Sequence, residues 1–239
     1  LTGGMVEMWR KVNACPDCFD PPPPQHVIEA SASIHTPQSG SWYSWFPPIN
    51  SCINQINQVT LGATDQFASI SLTGPGTVNL LHDSSQGSYL NSNVASSAWT
   101  YNSHYDLQTS DFSISQVLQT PEQSFTVVEP ALAFSENGFM QSFSKSNFSI
   151  LWEPQGTSDY ILFLLEVYSA QSYSSLLCLT EDTGGFILDP SLLVNYPSGE
   201  SAVVSLYRLQ ATERIHPLNN SIIEGVSAVG IIGTGYISE

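Results

Sequence analysis

Tyr160-Ile161-Leu162-Phe163-Leu164-Leu165-Glu166-Val167-Tyr168 is apolar at nearly every position, and its longest unbroken apolar run, Tyr160 to Leu165, is strand-sized. A half-exposed strand alternates apolar and polar residues, because successive side chains point to opposite faces. A strand apolar on both faces belongs at the centre of a sheet, with packing above and below. Spanning a bilayer as a helix takes about 20 apolar residues, and no stretch of this chain approaches that.

The neighbouring segments extend the same pattern. Before the run, Phe148, Ile150 and Trp152 share one strand face and Asn147, Ser149 and Leu151 take the other, ending at the turn Glu153-Pro154-Gln155-Gly156. After it, Ser175 to Thr180 forms a strand carrying Cys178 and stops at Glu181-Asp182-Thr183-Gly184-Gly185. Phe186 to Leu188 leads into Asp189-Pro190-Ser191-Leu192-Leu193, where an Asp cap followed by Pro predicts one short helical turn. Ser201 to Leu209 and Gly225 to Ser238 are the closing strands. Turn signals recur at the spacing of an immunoglobulin-like or fibronectin-type sandwich.

The first half is also β-rich. His26 to Ile34 and Val59 to Leu61 carry strand formers, and Phe67 to Leu72 and Thr77 to His82 flank Thr73-Gly74-Pro75-Gly76 as a hairpin. Asp83 to Asp111 is Ser- and Asn-rich, as expected of long loops with short strands. Residues 1–25 look like a separate piece: Thr2 to Asn13 as one or two helical turns, then a cysteine pair and the stiff segment Pro21 to Pro24. The expected fold is therefore all-β, with one or two antiparallel Ig-like β-sandwich units and an extended Pro-rich arm. The units divide into the arm 1–25, a β-rich N-terminal sandwich 26–133 and an Ig/fibronectin III-like sandwich 134–239.

Residues 147–209 resemble the C-terminal part of β-sandwich lipoproteins and secreted proteins of gliding and predatory bacteria. The resemblance rests on Trp152, the apolar strand Tyr160 to Leu165, Cys178, Asp182 with Gly184, Phe186, Pro190 with Leu193, and Arg208. It covers about a quarter of the chain and implies location and fold more than activity.

Charge narrows the partners. Arg10, Lys11, Lys145, Arg208 and Arg214 face 21 acidic residues, for a net charge of −16. Almost nothing on such a surface neutralises phosphate, which excludes nucleic acid and anionic membranes as partners. Polarity comes instead from Ser, Thr, Asn and Gln, since only 11 % of residues are charged. That composition, together with the cysteine count, points to an extracytoplasmic site: secreted, periplasmic or cell-surface. The chain starts at Leu1, as a processed form would, and Val12-Asn13-Ala14-Cys15 faintly resembles a lipoprotein processing site. The polar Met5 to Lys11 ahead of it argues against that use of Cys15. Asn147-Phe148-Ser149 and Asn219-Asn220-Ser221 are sequons for any host that glycosylates them.

Cys15, Cys18, Cys52 and Cys178 form an even set, so two disulfides are the first reading, with three connectivities open. An arm stapled to the body through Cys52 is the attractive pairing, and Cys178 also suits a buried free thiol. A zinc site would join Cys15 and Cys18 to two of His26, His35 and Cys52. Redox catalysis needs a low-pKa thiolate at a helix start in a thioredoxin-like fold, which four prolines in a β-rich chain do not offer. No cofactor is expected.

Catalytic constellations are sparse. Asp182-Thr183-Gly184 resembles an aspartic-protease loop, but one copy would need a homodimer, and Asp and Gly also serve a plain turn. No Gly-x-Ser-x-Gly, His-Glu-x-x-His, phosphate loop or dinucleotide fingerprint occurs. His82-Asp83 and His104-Tyr105-Asp106 read as loop polar residues, and no EF-hand spacing appears. The most unusual aromatic cluster is Ser41-Trp42-Tyr43-Ser44-Trp45-Phe46-Pro47-Pro48. Trp42, Tyr43, Trp45 and Phe46 suit a protein interface, core packing, or stacking on sugar rings.

The expected protein is non-catalytic: a structural or adhesive surface subunit whose arm and aromatic segment contact other subunits, as a homo-oligomer or a larger assembly. Sheet edges and arms associate by strand addition with little need for charge. A glycan-binding module centred on Trp42, Tyr43 and Trp45 is the alternative, and a hydrolase the second.

Overall fold

The structure is a computed structural model describing residues 2–13, 26–38, 46–54, 66–84, 87–124, 126–129, 141–155, 160–169 and 173–239. Within these it is all-β. The strands of the first half are β1 (Thr2–Asn13), β2 (His26–Gln38), β3 (Ser51–Asn54), β4 (Ile70–Thr73), β5 (Thr77–Asp83), β6 (Ser88–Asn91), β7 (His104–Thr109), β8 (Ser113–Gln119) and β9 (Val127–Glu129). The second half adds β10 (Gln141–Ser144), β11 (Ser149–Trp152), β12 (Tyr160–Tyr168), β13 (Tyr173–Glu181), β14 (Gly185–Ile187), β15 (Ser201–Ile215) and β16 (Ile222–Ser238).

Thirteen strands form one sheet in the order β3-β13-β12-β15-β16-β1-β2-β6-β5-β4-β7-β8, with β10 beside β16, while β14-β11-β9 form a small second sheet. The opening run, now β12, sits between β13 and β15, which explains why neither of its faces is polar. The hairpin at Thr73–Gly76 forms as expected, pairing Ile70 with Leu80. So does the turn at Pro190–Leu193, where Asp189 Oδ1 accepts from Ser191 N at 2.9 Å.

Side-chain alternation divides this sheet between two cores on one face. Val6 and Met8 of β1, Ile28, Ala30, Ala32 and Ile34 of β2, and Leu107 and Leu118 of the far strands enclose the first. β8 then folds back over the β15–β16 hairpin. Thr212 and Ser227 hydroxyls donate to the carbonyls of Val117 and Gln119, and Arg214 Nε donates to Ser115 O at 3.3 Å. Gly225 permits this approach, because a Cβ there would lie 1.8 Å from Val117 O. The second core lies between the other end of the hairpin and the small sheet: Phe163, Leu165, Val204 and Leu206 pack against Phe148, Ile150 and Trp152.

Three expectations change. Thr2–Asn13 is neither helical nor an arm; it is a central strand, parallel to β16 and antiparallel to β2. Val6 and Met8 are fully buried, and bonding on both edges outweighs the weak helical preference of the isolated segment. Second, the sheet is mixed, since both β1 and β10 run parallel to β16. Third, the division at 133/134 does not separate two sheets: β3 of the first half pairs with β13, and β1 with β16. The boundary itself, the strand at Val59 to Leu61 and the polyproline segment lie outside the described residues. Among the described residues, no helix is long and apolar enough to cross a membrane.

Candidate functional site

The opposite face of the sheet carries a groove, made by small residues in one strand and rings in its neighbours. In β16, Ala228 and Gly230 lie between β15 and β1, so that Tyr207 is registered with Gly230 and Trp9 with Ala228. A Cβ at Gly230 would lie 2.2 Å from Tyr207 Cδ1, so the tyrosine ring rests directly over the glycine. It reaches Trp9 edge-on, with ring centroids 5.1 Å apart and planes at 88°. Leu162 and Leu164 of β12 and Leu177 of β13 continue the apolar wall, and Phe46 packs against this cluster. The resulting groove has a volume of about 740 Å³.

Its polar side comes from β1 and β2. Met5, Glu7, Trp9 and Lys11 alternate onto the groove face while Val6 and Met8 face the first core. Glu7 is registered with Ser31, whose hydroxyl donates to Glu7 Oε2 at 3.0 Å. Burial pushes the Glu7 carboxyl above the usual carboxylate range, against the lowering effect of hydrogen bonds from Ser31 and Trp9 and the charge of Lys11. Lys11 Nζ donates to Glu29 Oε2 in an ion pair at the rim. The Ser33 hydroxyl is buried along the groove and has no hydrogen-bond partner among the described residues. Burial also pushes the Tyr207 hydroxyl up to about 12, so it stays protonated and neutral.

The predicted site residues distribute differently. Of the aromatic segment, Phe46 lines the groove, while Trp42, Tyr43 and Trp45 lie outside the described residues. Cys52 is bonded to Cys178, not to the arm, because β3 pairs with β13 and sets the two cysteines opposite each other. That replaces both the Cys52 staple to the arm and the free Cys178 thiol. Cys15 and Cys18 lie outside the described residues.

The zinc set does not assemble. Cys52 is oxidised, and His26 and His35 sit nine positions apart along β2, or roughly 30 Å at about 3.3 Å per residue. Among the described residues no group of three or more His, Cys, Asp or Glu could hold a metal.

Asp182 proves to be enclosed. Its Oδ1 accepts from Trp152 Nε1 at 2.6 Å, and its Oδ2 from Arg208 Nε at 2.9 Å and Gln155 N at 3.2 Å. Arg208, also fully buried, donates from Nη2 to Glu153 O at 2.6 Å and from Nη1 to Ser124 O at 3.3 Å. These contacts tie the small sheet to β13 and β15, and neither carboxylate oxygen is offered to solvent. His82 lies in β5, its ring centroid 5.0 Å from that of Tyr89. His104 and Asp106 lie in β7, where Asp106 Oδ1 accepts from Gln116 N at 2.7 Å, so both segments are strand residues and not the loop residues expected.

Sequence reasoning missed Glu7, Trp9 and Tyr207. The signal was the alternation of Val6 and Met8 with Glu7 and Trp9, and the small residues Ala228 and Gly230 inside a strand. No protein-family model matches the chain, and no curated protein matches it in sequence. Trp152, Asp182 and Arg208 form one hydrogen-bonded network, and Phe186 and Leu193 share the second core. What fold and site define together is an all-β protein with a ligand-sized groove across its sheet.

Proposed function

We propose that the chain is a non-catalytic structural or adhesive protein of an extracytoplasmic surface, and that it holds a partner protein in the groove. The groove carries this reading: a wall of Leu162, Leu164, Trp9 and Tyr207 faces a polar side of Glu7 and Ser33, the mixture by which buried anchors and a polar rim recognise protein chains. The Cys52–Cys178 bridge supports an oxidising compartment. Because β1 is a core strand, the contact surface of this proposal is the groove in place of a detachable arm.

Leu164→Lys places a positive charge in the groove wall at a half-buried position. The purified parent should associate with intact cells of its source, and the folded variant should lose that association. Equal association would refute the groove as the contact surface. A second reading, glycan recognition, is favoured by Asn91 and Ser92 lying along the same groove as Trp9. Binding on a glycan array that disappears with Trp9→Ala would support it.

A further inference from the structure

We propose that the groove's occupant is a basic segment of the partner protein, with a lysine or arginine whose apolar stem lies along Trp9 and Tyr207 and whose charged end meets Glu7. This rests on the reading that the groove holds a partner protein.

Among the described residues, the charges lining the groove are Glu7, Glu29 and Lys11. Lys11 is bound to Glu29, which leaves the groove one negative charge in excess, centred on Glu7. The hydrogen bonds Glu7 accepts from Ser31 and Trp9 come from neutral donors. A carboxylate held in an apolar wall is costly, and an arriving cation offsets that cost more than a neutral group can. The rings of Trp9 and Tyr207 flank the same space and favour a cation over an anion.

A second copy of this chain is a poor source of that cation. Its basic residues number only five, and all are engaged. Arg10 lies over the Tyr101 ring and Lys11 binds Glu29. Lys145 faces Glu239, Arg208 is buried on Asp182, and Arg214 donates to Ser115 O and Glu213 O. With a net charge of −16, the long-range field also draws basic partners and repels acidic ones.

The test is selection of a displayed library of random 12-residue peptides on the full-length protein. Enriched peptides should carry Lys or Arg flanked by apolar residues. Their binding should weaken at least tenfold when that Lys is replaced by norleucine, and again in the near-isosteric Glu7→Gln protein. Groove-dependent peptides that are neutral or acidic, or that bind Glu7→Gln as well as the parent, overturn the cation assignment while leaving the groove as a protein-binding site. If no enriched peptide is weakened by Leu164→Lys, both the assignment and the reading beneath it fail.

Discussion

Removing the Asp182 carboxylate should cost the protein far more than an exposed acid would. In Asp182→Ala, Trp152 Nε1, Gln155 N and Arg208 Nε, now 2.6, 3.2 and 2.9 Å from carboxylate oxygens, would face a methyl group. The guanidinium would keep its carbonyl contacts at Glu153 and Ser124 but lose its counter-charge while remaining buried. Breaking a buried pair from one side costs about 3–5 kcal/mol, because the remaining charge stays desolvated. For a chain of this length, at roughly 2–4 °C per kcal/mol, the melting point should fall by roughly 10 °C. The double variant Asp182→Leu/Arg208→Met removes both charges together and should recover the part of that loss due to the uncompensated guanidinium, while Trp152 Nε1 and Gln155 N still lack their acceptor. Urea denaturation followed by circular dichroism measures both proteins. A single variant that loses less than about 1 kcal/mol, or a double variant less stable than the single one, would refute the network as the tie between the small sheet and β13 and β15.

Other consequences are as direct. Cys52 and Cys178 are 126 residues apart, and replacing both with Ser should lower stability by about 5 kcal/mol on chain-entropy grounds, seen as a lower urea midpoint than that of the oxidised parent. Glu7 has its carboxyl raised above 4.5, so the folded state binds the extra proton and stability falls as pH rises from 4.5 through the raised value. Glu7→Gln should flatten that decline, and parallel urea midpoints across the acidic range would show whether it does. Deleting residues 2–13 should abolish the cooperative unfolding transition, since it removes Val6 and Met8, each fully buried, and opens one edge each of β16 and β2. A deletion protein that still unfolds cooperatively would show that β1 is dispensable.

The parts legible in the sequence are those set by local chemistry. Period-two alternation gave the faces of β11, Thr73-Gly74-Pro75-Gly76 gave a hairpin, and Asp189-Pro190 gave a capped turn, because each depends on residues within a few positions of one another. The doubly apolar β12 announced its central place for the same reason. Pairings across the chain left no such trace. Nothing in Thr2–Asn13 states that its neighbours are 20 and 220 residues away, and the Cys52–Cys178 bridge follows from β3 joining β13, a contact no spacing rule encodes. The groove was hidden by the same effect: Trp9 and Tyr207 meet only because β16 lies between their strands with Gly230 and Ala228 at the crossing. Asp182 was conspicuous as part of Asp-Thr-Gly, yet its partners Trp152 and Arg208 lie 30 and 26 residues away in sequence.

The parallel pairing of β1 with β16 also determines how the molecule bears load. Thr2 lies beside Ile222 and Asn13 beside Ile232, so tension applied at Thr2 and at Ser238 pulls the two strands past each other along their length. Every hydrogen bond between them is then strained together, as in a lap joint, whereas an antiparallel pair pulled from one end would open like a zip. Pulled between those two points, the molecule would carry the force through the centre of its own sheet.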